Sequence, residues 1–368
     1  MNTVLKMGQA IVWQSSDQLL KQKIDSLDKQ TLDLHAAKYF PIIHRYLKKF
    51  CSQTDVDSSV KYPYVSRSID RLLRVSGKES TYLPVMKEFE GMLKEVLPKY
   101  RDHFIHSFNV FLLGYYILNR LKSIKTDFDF RSNFPNLCWM LAATHHDSAY
   151  VIEKMEFWLN KLLEKFLGVN PGLSSNIAQI LPMTYFDFMR AISCWHKQPM
   201  GNLAGYNLDA VDLALLNEMN ISITQRRDHG VLGSLMLVHS LAIKQGFLAR
   251  EGVYGNFLYT HIPACHAISI HHLSSIRIVF SKHPLAFLLV LCDELQDWGR
   301  PTKSGLSKQS IELRDIQVTN DIIPTIAVTI SAPKRKEQML IKALGRLHTG
   351  DSIRLSISNE KGKTILSK

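Results

Sequence analysis

Paired cysteines are missing from this sequence. The five it has (Cys51, Cys138, Cys194, Cys265 and Cys292) are odd in number and scattered, with no Cys-x-x-Cys. That argues against both a disulfide framework and a thiolate zinc site. Long apolar runs are missing too. None reaches the ~18–20 residues of a membrane span, because His, Lys, Arg or Asp interrupts each one. There is no internal repeat and no low-complexity segment. The stretch from Met1 to Gln9 lacks the basic start, apolar run and small-residue cleavage site of a secretory leader. These absences predict a soluble, cytoplasmic protein in a reducing compartment, with no membrane partner.

Acidic excess is also absent: 45 Lys and Arg face 33 Asp and Glu, a formal charge of +12. Such a balance suits phosphate-bearing ligands, from nucleotides to nucleic acid. It is equally the signature of a basic, well-solvated surface, since the charge is spread along the chain. The densest run, Lys334 to Lys336, lies near the C-terminal end. With 368 residues, 46% of them hydrophobic, the chain can bury a substantial core, as two domains or as one domain with an appendage.

Residues 1–95 read as a helical extension packed on the core. Asp28 to Phe50 carries apolar residues at helical spacing, and Pro41 predicts a kink or a break there. Cys51 to Tyr64 reads as a polar loop, and Val85 to Leu97 as another helix. His35, His44 and, further on, His196 read as structural. The segment from Tyr100 to Leu118 is apolar on nearly every side, so it should be a buried helix. Yet it starts with Arg101, Asp102, His103 and His106, an expensive cluster unless something pairs with it. His103 and His106 sit three apart on one face.

Leu137 to Tyr150 reads as a helix carrying His145, His146 and Asp147. Adjacent helical residues point about 100° apart, so two of these converge on one ion only near a helix end. From 151 to 225 the pattern is helical, broken at Gly168 to Gly172 and at Pro199 to Asn202. Asp228 and His229 then repeat the earlier design of a polar start followed by an apolar helix. There Gly230 and Gly233 leave room for another backbone or a ligand. Pro263 to Leu273 is a further apolar helix with His266, His271 and His272; the spacing of His266 and His271 lets only one of them face a given site. Asp293 follows eight apolar residues, and a buried carboxylate needs a cation, a salt bridge or a proton.

After Gly305 the texture changes. Residues 311–319 and 323–331 suggest a hairpin around Asn320 and Asp321. A basic helix from Ala332 to Leu347 follows. Ser352 to Ser358 alternates, and Thr364 to Leu366 is its expected hairpin partner. The fold class that results is mostly α, with a small C-terminal α+β appendage over 306–368. That module is a candidate surface for a protein partner or for self-association.

In order, the ligand-type residues are His106, His146 with Asp147, His229, His271 and Asp293. This series resembles the HD superfamily of metal-dependent phosphohydrolases. Arg101 to Ser107 looks like the first motif, with His106 as ligand; His146–Asp147 looks like the namesake pair; Leu289 to Gln296 looks like the last, with Asp293 as ligand. The resemblance covers roughly residues 95–300 and implies an HD-domain-like helical bundle over 96–305. It also implies one or two divalent ions (Mn²⁺, Fe²⁺, Mg²⁺, Ni²⁺ or Zn²⁺) held by His106, His146, Asp147 and Asp293, with His229 and His271 for a second ion. His266 and His272 rival His271, and His145 rivals His146. Asp147 is the candidate bridge between ions. Asp228 and Asp102 are candidates to orient a ligand histidine, and Arg101, Arg227, Lys282 and Arg300 are candidate phosphate cations. Leu273 follows the paired histidines where the cyclic-dinucleotide branch has Gly-Tyr-Pro, a departure from that branch.

The implied activity is hydrolysis of a nucleotide-like phosphate ester or anhydride by a metal-activated water, with Asp147, Arg101 and Asp228 as the catalytic candidates. Two alternatives stand beside it. One is a di-iron oxygenase such as myo-inositol oxygenase, whose ligand set can be matched here one for one. The other is a non-catalytic module that senses a nucleotide.

Overall fold

The computed structural model describes residues 15–50, 58–78, 83–96, 102–121, 135–168, 228–245, 262–298 and 310–368. Helix α5 (His103–Arg120) is the axis of the helical part. Every side chain from His103 to Asn119 is buried, as its all-round apolar pattern requires. Asp102 starts it, accepting the Ile105 amide at 2.7 Å. Helix α6 (Pro135–His145) packs on α5 so closely that a Cβ at Gly114 would overlap the Trp139 ring, 1.9 Å from its nearest atom. The Trp139 indole donates to the Phe111 carbonyl at 3.0 Å. Further along, Asn119 and Asn136 pair with each other at 3.0 and 3.1 Å, and Asn136 also donates to Asp33 at 2.7 Å. Buried amides at this contact thus have partners, as burial demands.

Helices α1 (Ser16–Asp25), α2 (Leu34–Phe50), α3 (Ser58–Val75) and α4 (Leu83–Val96) precede α5. A capping box opens α1: the Ser15 hydroxyl accepts the Gln18 amide, and the Gln18 side chain accepts the Ser15 amide. The break expected at Pro41 is not found, because α2 runs unbroken from Leu34 to Phe50. Proline costs a helix interior about 3 kcal/mol. The stripe of Tyr39, Phe40, Ile43, Tyr46, Leu47 and Phe50 is buried at about 1.5–3 kcal/mol per side chain, so packing outweighs the lost bond. The expected loop over 51–64 gives way to helix from Ser58, where α3 begins, while residues 51–57 lie outside the described residues. Tyr62 packs edge-on against Phe104 and Tyr64 against Phe50; those contacts hold the Tyr62–Tyr64 segment helical despite Pro63.

Among the described residues, helices α7 (Tyr150–Leu167), α8 (His229–Gln245), α9 (Ile262–Ile270) and α10 (Pro284–Leu295) complete the helical part. Gly168 ends α7 with φ of 65°, the left-handed conformation that glycine adopts cheaply. Contacts of α9 with α6, α8 and α10, and of α10 with α5 and α6, draw these helices around one centre. Among the described residues no helix is long and apolar enough to cross a membrane.

The C-terminal part is a small α+β module. Strand β1 (Ile278–Val279) belongs to the helical part; β2 (Glu312–Thr319), β3 (Thr325–Ser331), β4 (Leu347–His348), β5 (Arg354–Asn359) and β6 (Thr364–Ser367) belong to the module. Its sheet has the order β2-β3-β5-β6, with two antiparallel hairpins flanking a parallel β3–β5 pair. Helix α11 (Lys334–Leu344) makes the crossover that such a parallel pair needs. The inward residues of β3 (Ile326, Val328 and Ile330) are buried, as are Leu340 and Leu344 of α11.

Several contacts fasten this module to the helices. Strand β4 pairs in parallel with β1. The Ser16 hydroxyl accepts the Leu313 amide at 3.0 Å. Asn320 donates to the Arg120 carbonyl at 2.7 Å, and Lys336 pairs with Asp297 at 2.8 Å.

Candidate metal centre

Five separate chain segments deliver six side chains to one buried spot. His106 comes from the first turn of α5, and His146 with Asp147 from the turn that follows α6. His229 opens α8, His271 lies just beyond α9, and Asp293 lies near the end of α10. Their ligand atoms form three overlapping groups, each within 4.8 Å: His106, His146 and Asp147; His146, His271 and Asp293; Asp147, His229 and His271. Each of these buried groups could hold a metal ion.

Local structure explains how neighbours in sequence converge. Helix α6 stops at His145, five residues before the predicted end, and residues 146–149 form a turn before α7 starts at Tyr150. Released from helical spacing, His146 and Asp147 both face the cluster: His146 Nε2 lies 3.7 Å from Asp147 Oδ1 and 3.6 Å from Asp293 Oδ1. His106 Nε2 lies 2.7 Å from Asp293 Oδ1, 3.7 Å from Asp147 Oδ2 and 3.4 Å from His146 Nε2. His229 Nε2 lies 3.4 Å from Asp147 Oδ1. Asp147 therefore stands between the histidines on either side, one oxygen toward His146 and His229, the other toward His106.

Each histidine in the cluster has its outer nitrogen occupied. His106 Nδ1 faces Gln296 Oε1, whose amide nitrogen in turn donates to the Trp298 carbonyl at 2.6 Å. His146 Nδ1 bonds the Ala143 carbonyl at 2.9 Å, and His271 Nδ1 the Ile268 carbonyl at 2.6 Å. His229 Nδ1 meets Glu153 Oε2 at 3.1 Å. A carbonyl or carboxylate oxygen accepts, so each Nδ1 carries its proton and Nε2 is the nitrogen left for the cluster; in His106 and His146 that Nε2 faces Asp293 and carries a second proton, which a metal ion would displace. His271 Nε2 is buried with no hydrogen-bond partner.

Charge at the centre is strongly coupled. Burial alone would raise the Asp147 pKa, but His146, His103 and His106 hold it well below the ordinary carboxylate range. Asp293 behaves alike, with His106 and His146 outweighing its burial. Burial would discharge His146, yet Asp147 and Asp293 hold it up at about 9. His271 is pushed down to about 3 by burial and by His146 and His229. The two carboxylates thus demand positive charge between them. A divalent cation would meet the same demand, held by these residues in place of those protons.

The spacing fits such an ion. Ligand atoms each about 2.0–2.2 Å from one ion are separated by about 3–4.4 Å. The separations from 3.4 to 3.7 Å above lie in that range, and only the 2.7 Å His106–Asp293 contact is shorter. An imidazole–carboxylate set without thiolate suits Mn²⁺, Fe²⁺, Mg²⁺, Ni²⁺ or Zn²⁺.

The other candidates fall elsewhere. His145 bonds the Leu141 carbonyl and Thr144, outside the three groups. His266 stacks on His283. His272 is largely exposed and pairs with Asp228 at 2.8 Å. Asp228 also caps α8 through the Gly230 and Val231 amides at 2.9 and 3.1 Å, so it orients the helix that begins with His229. Asp102 starts α5 in the same way. Lys282 is exposed. Arg101, Arg227, Arg300 and His196 lie outside the described residues.

Four neighbours of the cluster were not singled out from the sequence as part of the site. His103 Nδ1 meets Asp147 Oδ2 at 2.8 Å, and its ring packs on Tyr150 with centroids 4.0 Å apart. The signal for His103 was its i,i−3 spacing from His106. The same spacing on the C-terminal side of Asp293 marks Gln296. Glu153 and Tyr150 carry no such pattern, because the turn at 146–149 resets the helical register.

Searches against family models, curated proteins and solved structures found no match to this chain.

Proposed function

We propose that this protein is a metal-dependent phosphohydrolase of the HD type, acting on a nucleotide-like phosphate ester or anhydride. One observation carries the reading. The six residues that make up the HD-like series converge from five segments, and the four histidines among them each present Nε2 inward with Nδ1 engaged. A random set of buried polar residues has no reason to share that orientation, which is the usual arrangement of metal-ligating histidines.

Bound there, a divalent ion supplies a water that loses its proton near neutral pH and polarises a phosphoryl oxygen. The chain's own residues do the rest. Asp147 joins the two sides of the cluster and would be shared if two ions bind. Gln296, Glu153 and the Ala143 and Ile268 carbonyls fix the tautomers. His103, hydrogen-bonded to Asp147 and stacked on Tyr150, is placed to hold or move a proton at the edge of the site. Lys154, 4.4 Å above the Tyr150 ring and paired with Glu153, brings positive charge to that edge for a phosphate. The +12 charge of the chain favours such anions.

The test is a screen of purified protein with Mn²⁺, Mg²⁺, Fe²⁺ and Ni²⁺ against nucleotides, cyclic nucleotides and short oligonucleotides, with D147N beside it. Metal-dependent phosphate release or phosphodiester cleavage, lost together with metal uptake in D147N, is the expected result. Iron with substrate-dependent oxygen consumption would move the protein to the oxygenase reading. Nucleotide binding without turnover would make it a sensor. D147N with undiminished metal content would remove the basis for all three.

A further inference from the structure

The histidine that completes the third ligand group, His271, lies just past the end of α9, in a turn closed by the Leu273 amide on the Ile270 carbonyl at 3.3 Å. Helix ends leave their last carbonyls without intrahelical donors. Here one side chain adds donors to the turn, beside the backbone amides that already reach the Ile270 and Leu273 carbonyls. The Arg346 guanidinium donates through Nη1 to the Ile270 carbonyl at 3.2 Å and the Leu273 carbonyl at 2.6 Å. Through Nη2 it donates to the carbonyl of His271 itself. The planar fork thus spans three carbonyls on both sides of a candidate ligand, a task that Lys cannot reproduce. Its charge is also of the sign a helix C-terminus favours.

Arg346 comes from the C-terminal module, between α11 and β4. It is anchored on its own backbone, because its carbonyl accepts the Ile278 amide at 3.0 Å and the next residue enters the β1–β4 pair. Burial lowers its pKa from an ordinary arginine, and Glu294 beside it opposes that; with its reference so high, the side chain stays charged. His271 is consequently gripped twice, by the Ile268 carbonyl at its ring and by Arg346 at its backbone.

We propose that Arg346 is a positioning residue for His271, so that the C-terminal module sets the ion-binding capacity of the ligand groups that contain it, one with Asp147 and His229 and one with His146 and Asp293. This rests on the metal-centre reading above. The experiment uses the full chain, stripped with chelator and titrated with Mn²⁺ while ion number and affinity are read for wild type, R346M, R346K and H271A, with R346M also placed in the H271A background. R346M should weaken an ion held through His271 by about 10–100-fold, the range for residues that orient ligands, and leave one held by His106, His146 and Asp147 unchanged. R346K should show a smaller loss at the same ion, and serves alone should R346M not fold. In the H271A background R346M should add nothing, since the residue it positions is gone.

Equal weakening of both ions, or the same loss with and without His271, would mean general loosening and overturn the proposal. Wild-type affinities in R346M and R346K would overturn it while leaving the metal centre intact. No Mn²⁺ uptake by wild type would overturn both.

Discussion

Gly230→Ala concentrates the geometry of the site into one added methyl group. A Cβ at position 230 would sit 2.5 Å from the Ile268 carbonyl oxygen and 2.9 Å from both Cε1 and Nδ1 of His271. The first obstacle is backbone, which does not swing aside like a side-chain tip. Reaching ordinary contact at 3.4 Å requires α8 and α9 to separate by about 0.9 Å. That same carbonyl is the acceptor of His271 Nδ1, so the displacement falls on the bond that orients the ring.

Overpacking of this size costs about 1–3 kcal/mol of stability, and disturbing a ligand's orienting bond costs about 10–100-fold in metal affinity. Gly233→Ala is the internal control: it lies one turn later on α8, and its added Cβ meets nothing nearer than 3.4 Å. Mn²⁺ titration and thermal melts of both variants give the answer. G230A should lose affinity at one ion and melt lower, while G233A stays near wild type. If G230A matches wild type in metal affinity, His271 is not held in place by the α8–α9 contact and the argument fails.

Two more substitutions probe other parts of the structure. Gln296→Leu removes the acceptor of His106 Nδ1; metal affinity should fall about 10–100-fold in an equilibrium titration, and an unchanged affinity would show that Gln296 does not orient His106. Gly114→Ala drives a Cβ into the Trp139 ring, so its melting temperature should drop by several degrees, whereas per-protein ion content at low temperature should hold; a melting curve like wild type would mean α5 and α6 can part without cost.

The helical body and the C-terminal strands were legible because burial writes itself into spacing. Eight apolar residues before Asp293 and the all-round apolar face of 103–119 permit few alternatives. The series from His106 to Asp293 that the structure brings together was legible for a related reason: polar residues inside apolar helices are costly, so each one marks a partner. What the sequence did not disclose were contacts made by backbone. The α6 terminus at His145, which lets His146 and Asp147 converge, carries no glycine or proline to announce it. The unbroken α2 overrode its proline through packing of Tyr39, Ile43 and Phe50 that only tertiary structure reveals. Arg346 passed unremarked because its partners are three main-chain carbonyls, which have no letter in a sequence.

The bond between Ser16 and Leu313 spans 297 positions, and the grip of Arg346 on His271 spans 75. During synthesis, α1 must therefore wait across 297 positions before β2 arrives to meet it. The turn around His271 likewise lacks its clamp until Arg346 has emerged. A nascent chain halted before residue 346 would carry every histidine and aspartate of the cluster, yet the loop holding one of them would still be open. Long-range closures of this kind slow folding, and here they make the final sixty residues the step that turns a set of helices into a finished site.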